Sequence, residues 1–211
     1  MLRTMTDLRR APGQLLDIGA GRGDFSLAAR QQGLAVTALE VQRDEIISLR
    51  AIDGVEVIPA IFEDFAALPG AFDYIVMSQV LEHAADPRGF VAKAAALLSA
   101  GGVLAIALPN FDSVWRRLAG TRDPYFIPPE HLNHFNRRSL RRVCEQCGLH
   151  VERIAEIPSL PDDVLSKRLP MRPALGPIVE PITAGVRCVF GAATGLLHCG
   201  IMLHVYAVKG R

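Results

Sequence analysis

Residues 14–110 alternate short apolar runs with amphipathic stretches, which predicts an α/β fold: a doubly wound, mostly parallel sheet with helices on both faces. Three observations carry this. The apolar runs are nearly uniform, as strands are when both faces of a sheet are covered. The connections between runs are short, as in consecutive βα units. A glycine-rich turn stands where the first run gives way to the first helical stretch, at the end of a strand where open α/β sheets bind ligands.

The first strand is Gln14 to Ile18, followed by glycines and a helix from Asp24 to Gln32 that Gly33 closes. Ala35 to Leu39 is the second strand and ends at Glu40. Arg43 to Ile52 reads as a helix with Asp53-Gly54 as its stop, and Val55 to Pro59 as the third strand. Phe72 to Met77 is the fourth. Pro87 to Leu98 is a helix, with proline just inside its start and Gly101-Gly102 just past its end. Val103 to Leu108 is the fifth strand, stopped by Pro109-Asn110. Residues 111–135 form a longer irregular segment rich in aromatic residues, Pro, His and Asn. Arg138 to Cys147 is a helix ending at Gly148, and His150 to Ile157 a sixth strand. Pro158 to Pro181 holds six prolines and is expected to wrap the surface or form a cap, and Ile201 to Lys209 is the last strand.

The 211 residues suffice for one α/β domain with its own core. A formal net charge of +1 gives no global field to gather nucleic acid, and neither a basic stripe nor a nucleic-acid module is present in the sequence. The opening MLRTMTDLRRAPGQ is charged and lacks the apolar core of a secretory signal. Four cysteines then read as reduced thiols in a cytoplasmic protein. From Cys188 to Val208 there is no Asp, Glu, Lys or Arg, a length near that of a membrane span. Two histidines, three glycines and a late β-like run favour a buried helix followed by a core strand. The alternative is contact of residues 178–204 with a membrane surface or a lipophilic substrate, which would make the protein peripheral to the membrane. The same apolar tail would also serve as a dimer seam or a lid.

The strongest chemical signal is Leu16-Asp17-Ile18-Gly19-Ala20-Gly21-Arg22-Gly23-Asp24. Glycines at alternate positions let the backbone turn tightly and pass close to a ligand. In the competing dinucleotide fingerprint the third glycine would fall one residue later, where this chain has Asp24. Asp17, two residues before the first glycine, would repel a pyrophosphate and attract a ligand bearing an ammonium and a sulfonium. Glu40, at the end of the second strand, is suited to accept the ribose hydroxyls of an adenosine; the alternative is a solvated strand end.

LLDIGAGRGDF, ALEV, FDYIVMSQVLEHAADP, LLSAGGVLAIALPN and HLNHFNRRSLRRVCEQCGLHV together resemble the successive motifs of the seven-stranded, Rossmann-like S-adenosylmethionine-dependent methyltransferases. The resemblance covers residues 14–157 and is nearest to the bacterial small-molecule subgroup that includes the ubiquinone-biosynthesis O-methyltransferases. It implies a single domain, 1–211, with a cofactor-binding half at 14–110 and a substrate-side half at 111–211 that carries a Pro-rich and apolar insertion, 158–200, before the last strand. It further implies S-adenosylmethionine as cofactor, with Asp17, Gly19, Ala20, Gly21 and Gly23 around its methionine portion. Glu40 would hold the ribose, Val41 would lie beside the adenine, and Ile61-Phe62-Glu63 would flank the adenine edge. Ser78 and Gln79 would close over the methionine end. One departure stands out. Relatives usually place Gly-Asp after the third strand, where the Asp meets the adenine amino group, and here that slot is Ala60-Ile61. Glu63, Asp64 or backbone alone would then read the amino group.

Methyl transfer asks for alignment of acceptor, methyl and sulfur, exclusion of water, and often removal of a proton. Candidate bases are Glu82 and His83, and His131 and His134, three apart and able to share one helical face. The alternatives are that His83 caps the next segment and that His131 or His134 orients the 111–135 loop. Some ubiquinone-pathway relatives hold a divalent metal near such a Glu-His pair, but two ligands do not make a site, and no metal is expected. Cys144-Glu145-Gln146-Cys147, with no second pair and at a helix end, reads as packing. Trp115, Arg116 and Arg117 would meet an anionic or ring-bearing acceptor, or form a solvated helix face.

The leading reading is methyl transfer to a hydroxyl or carbon of a small molecule, with no nucleic acid as partner. A non-catalytic or weakly catalytic binding protein of the same fold is the second. An NAD(P)-dependent oxidoreductase is the third, opposed by the glycine spacing and Asp17.

Overall fold

The computed structural model describes residues 1–9, 12–123, 125, 128–157 and 200–210. Seven strands form one sheet: β1 (Gln14–Ile18), β2 (Ala35–Leu39), β3 (Val55–Ile58), β4 (Phe72–Ser78), β5 (Leu98–Pro109), β6 (Leu149–Ile157) and β7 (Met202–Lys209). Their order is β3-β2-β1-β4-β5-β7-β6. β1 pairs in parallel with β2 and β4, β2 with β3, and β4 with β5. β7 lies antiparallel between β5 and β6. The expected mostly parallel, seven-stranded, doubly wound sheet is the one observed.

Alternation along the central strands divides the core. Leu16, Ile18, Ile75, Met77, Leu104 and Ile106 face one side, where α4 (Pro87–Leu97) and α6 (Arg137–Gln146) contribute Phe90, Val91, Leu140 and Cys144. Leu15, Tyr74, Val76, Val103 and Ala105 face the other, under α1 (Leu2–Leu8) and α2 (Asp24–Gln31). A fully buried leucine contributes about 1.5–3 kcal/mol, so loss of any one of these central side chains would weaken the layer measurably. The chain leaves β1 toward β2 and β3 and returns on the other side at β4. This reversal opens a crevice at the carboxyl ends of β1 and β4, the place where such sheets take ligands.

The structure corrects the sequence reading in several places. α1 was not expected. Its Leu2 and Met5, one turn apart, are buried against the sheet, and Arg9 just beyond it donates to the Asp73 carboxylate and to the Ala100 carbonyl. Tyr74, whose ring is wholly buried, donates its hydroxyl to the Arg9 carbonyl. This helix covers a sheet face. After α4 the chain enters β5 at once, at Leu98, and the Gly101-Gly102 pair lies inside the strand in a register shift, with Leu98 opposite Phe72 and Val103 opposite Tyr74. α3 (Arg43–Arg50) stops two residues early. α5 (Val114–Ala119) adds a short helix within the segment read as irregular, capped by the Ser113 side chain.

The Pro158–Pro181 wrap or cap and nearly all of the 158–200 insertion lie outside the described residues, as do most of the 178–204 stretch and the Trp115 side chain. Among the described residues no helix is long and apolar enough to cross a membrane, and the end of the uncharged stretch is the core strand β7. Cys144 is buried and Cys147 half-buried, both free thiols on the core side of α6, which fits the packing role.

Candidate active site

The glycine turn joins the carboxyl end of β1 to α2. Gly19 has φ +65°, and an added Cβ there would stand 2.7 Å from the Val80 side chain that follows β4. Gly23 has φ +88° at the N-cap of α2, and a Cβ would press on Leu49 and Ile52 at the end of α3. The turn is therefore closed by backbone at positive φ, which favours glycine, and at Gly19 and Gly23 by neighbours that leave no room for a side chain. Ala20 donates its N–H to the Leu39 carbonyl, which ties the turn to β2.

Two carboxyl groups lie beneath the turn. Asp17 is buried and accepts a 2.7 Å hydrogen bond from the Ser26 hydroxyl. Burial raises its pKa to about 6; the Ser26 bond opposes this and the nearby Glu40 charge adds to it. Glu40 is also buried. Its Oε2 accepts from the Gly21 amide at 2.8 Å, and its Oε1 from the Val41 and Gln42 amides at 2.7 and 3.0 Å. Two acidic groups with no basic partner in these contacts favour a cation over a phosphate in the space above.

That space is a cavity of about 270 Å³. Of the expected cofactor residues, Gly19, Glu40, Val41, Phe62 and Glu63 line it, with Ile18, Leu39, Ala60 and Ile61. His83, expected as a catalytic candidate, lines it too, as do Val80, Ala84 and Phe90. Asp17, Ala20, Gly21, Gly23, Ser78 and Gln79 are not part of this lining. Asp17 lies below the turn, while Ser78 and Gln79 are exposed at the end of β4. Gln79 holds φ +58° and donates its amide to the Ala107 carbonyl, an uncommon conformation for a non-glycine residue. Ile61, in the slot where the family resemblance implies Asp, is 47% exposed at the cavity edge, and Phe62 packs inward against Phe90 with ring centroids 4.7 Å apart. Phe90 carried no local signal beyond helical spacing, and Val80 none at all.

Beyond His83 lies a second, polar pocket that includes Glu82, Asn110, Tyr125, His131, Asn133 and His134. Glu82 is 1% exposed, and neither of its carboxyl oxygens has a hydrogen-bond partner among the described residues. Burial pushes its pKa up to about 7. The Nδ1 of His131 meets the Tyr125 carbonyl at 2.8 Å, and that of His83 meets the Glu130 carbonyl at 2.8 Å. A carbonyl only accepts, so each Nδ1 carries the proton and each Nε2 of a neutral ring offers a lone pair. Burial lowers the pKa of His131, which favours its neutral form. The two rings meet edge to face at 4.8 Å, joining the two pockets.

Residues 131–134 are not helical, which corrects the shared helical face expected for His131 and His134. His131 packs on His83, whereas His134 is exposed and stacks on Phe111 at 5.1 Å. Asn133, which sequence reasoning passed over, holds the segment in place: its amide donates to the Glu82 carbonyl at 3.0 Å and its side chain to the Ala84 carbonyl at 2.7 Å. The Phe111 N–H donates to the Phe135 carbonyl at 2.8 Å, and Phe135 is buried in the core. His83 makes no cap; its ring reaches across to Glu130. The expectation of no metal rested on two ligands. The fold adds a third, since donor atoms of Glu82, His83 and His131 all lie within 4.8 Å of one another.

A family model described as a methyltransferase domain matches residues 2–154. The ubiquinone biosynthesis O-methyltransferase of Xylella fastidiosa is 36% identical over 155 residues, covering 67% of this chain and 63% of that protein. Its counterpart in Caulobacter vibrioides is 36% identical over 149 residues, covering 60% and 59%. The chain thus spans less than two thirds of the length of these relatives. An S-adenosylmethionine-dependent methyltransferase from Archaeoglobus fulgidus superposes with a TM-score of 0.70 at 17% identity, over 99% of this chain and 91% of that one. The 1,6-didemethyltoxoflavin-N1-methyltransferase of Burkholderia thailandensis, solved with 1,6-didemethyltoxoflavin and S-adenosylhomocysteine, gives 0.64 at 16% identity, over 99% and 76%. At these identities the structures speak for the fold alone. The sequence match spans the glycine turn, both pockets and most of the sheet, and the chain belongs to the methyltransferase-domain family.

Proposed function

We propose that this chain binds S-adenosylmethionine in the cavity above β1, β2 and β4 and transfers its methyl group to a hydroxyl of a small-molecule acceptor in the adjoining polar pocket. One observation carries the reading: a buried carboxyl with no hydrogen-bond partner among the described residues, Glu82, stands next to a cavity built around a glycine turn and Glu40. Family membership and relatives named as O-methyltransferases support the reaction class.

In this reading Glu40 accepts one ribose hydroxyl on the Oε2 lone pair that its three amide donors leave free. Val41 and Phe62 flank the adenine, and Glu63 meets its edge. Gly19, Ala20, Gly21 and Gly23 supply close backbone around the methionine portion, Asp17 adds negative potential below it, and Ser78 and Gln79 close that end. The acceptor oxygen attacks the methyl carbon in line with sulfur. The new O–C bond forms as the S–C bond breaks, and the electron pair stays on sulfur, which becomes the neutral thioether of S-adenosylhomocysteine. The hydroxyl proton passes to Glu82 or to the Nε2 of His131, with His83 between the two pockets and His134 at the outer wall. A pKa of about 7 suits Glu82 to that exchange near neutral pH.

A second reading of the same groups draws support from the donor set. A carboxylate and two imidazoles with free Nε2 atoms suit a divalent cation, which would lower the acceptor hydroxyl's pKa when bound. The single-domain reading of 1–211 draws support from β7, which is inserted between β5 and β6. The apolar composition of 178–204 supports a contact with a lipophilic acceptor or a membrane surface.

The test is S-adenosylhomocysteine release from S-adenosylmethionine over a panel of small hydroxylated acceptors, with and without a chelator. Acceptor-dependent release is expected. Tight cofactor binding with no release on any acceptor would favour the non-catalytic alternative, and loss of release with chelator alone would favour the cation-assisted form.

A further inference from the structure

The loop after β3 carries Ile61 in the slot where the family resemblance implies Asp, yet it is tightly held from behind. Lys93 on α4 donates from its Nζ to the carbonyls of Phe62 and Glu63, both at 2.7 Å. The same ammonium lies 5.0 Å from the centroid of the Phe62 ring. Phe90, three residues earlier and on the same helix face, packs on that ring. α4 thus grips the loop by two backbone carbonyls and one aromatic side chain.

We propose that Lys93 is a positioning residue for cofactor recognition: by fixing the Phe62 and Glu63 carbonyls it sets the direction of the backbone N–H that reads the adenine ring. The argument rests on the binding mode proposed above. A trans peptide is planar, with its C=O and N–H pointing in opposite directions. Holding the Phe62 carbonyl on Lys93 therefore aims the Glu63 N–H away from α4. The hydrogen bonds within this loop are donated by Ala60, Asp64 and Phe65; the N–H groups of Ile61, Phe62 and Glu63 make none among the described residues, and of these the Glu63 N–H is the one whose direction the Lys93-bound Phe62 carbonyl fixes. Its natural acceptor is N1 of adenine, a ring nitrogen with a lone pair. Ile61 offers no carboxylate to the amino group, so ring recognition falls on this N–H, and its accuracy on the ammonium behind it. Two charge-assisted hydrogen bonds hold the loop more firmly than neutral donors would.

The test compares S-adenosylhomocysteine with S-inosylhomocysteine, in which N1 carries a proton and cannot accept. Calorimetric affinities are measured for the wild-type protein, Lys93→Met, which keeps the aliphatic stem, and Lys93→Arg, which restores donors to the carbonyls. The wild type is expected to prefer the adenosyl ligand by at least about 30-fold. In Lys93→Met the adenosyl affinity should fall about 10-fold and the preference shrink below about 5-fold, while Lys93→Arg stays within about 3-fold of wild type on both counts. The proposal is overturned if Lys93→Met keeps the wild-type preference, whether its affinities are unchanged or both fall equally. Melting temperatures separate a general loosening from a change in recognition. Absence of adenosyl binding by the wild type would instead overturn the underlying cofactor reading.

Discussion

The two pockets are made of different material. The cofactor cavity is shaped by backbone: the turn at Gly19, amides gathered on Glu40, and a loop held by its carbonyls. Its lining side chains are mostly apolar. The polar pocket draws titratable side chains from segments almost 50 residues apart, Glu82 after β4 and His131 and His134 before α6. The first suits a ligand of fixed shape. The second suits a proton or cation whose position changes during reaction, and its composition makes it the more sensitive to pH.

The contrast can be broken most sharply by separating chemistry from binding. Glu82→Gln should lower methyl transfer by about 100- to 10,000-fold, the range for removing a positioned acid-base group, and leave S-adenosylhomocysteine affinity within about twofold. Turnover and calorimetry on one preparation check both halves. Gly19→Val should do the opposite and weaken cofactor binding by at least about 100-fold, because it adds a branched side chain at positive φ against Val80. Isothermal titration reads that loss directly. Glu40→Gln keeps the shape but removes the charge, and the cofactor affinity should fall about 10- to 30-fold, as expected for weakened charge-assisted hydrogen bonds.

A smaller effect sharpens the comparison through stability. Burial raises the Glu82 pKa from 4.5 to about 7, so the folded protein holds that proton more tightly than the unfolded chain. The stabilisation is full below pH 4.5 and is lost as pH rises through about 7. Above that, the ionised, buried carboxylate costs on the order of 3 kcal/mol. In the presence of a chelator, Glu82→Gln should therefore melt on the order of 5–10 °C higher than wild type at pH 8 and at nearly the same temperature at pH 4.5. Equal shifts at both pH values would contradict the assignment of the raised pKa to Glu82.

The two regions also differ in how far they could be read from sequence. Strands that alternate with helices leave periodic apolar runs, so the mostly parallel, doubly wound sheet was legible, while its strand order came only from the structure. The glycine turn and Glu40 were legible because each follows directly on a strand end, whereas Phe62 and Glu63, four and five residues beyond β3, followed from the family resemblance. The polar pocket depends on how residues 111–135 fold back, and no periodicity records that. Asn133 pinning the loop to Glu82 and Ala84 is a tertiary contact, and without it the His131–His83 pair could not be foreseen. The three-residue spacing of His131 and His134 suggested a helix, but the hydrogen bonds and aromatic contacts of this segment run to other parts of the chain. α1 was missed because its short amphipathic pattern, Leu2 and Met5, becomes meaningful only against the sheet that buries it. Nothing in the sequence sets Lys93 apart from other helix cations; its role depends on the loop it grips.

The division of labour between the pockets is tested most directly by titrating S-adenosylhomocysteine into wild type, Glu40→Gln and Glu82→Gln under one buffer condition. Saturable one-to-one binding by wild type and Glu82→Gln, with a clear loss in Glu40→Gln alone, is the predicted result. No heat from wild type, or equal losses in the two variants, would contradict it.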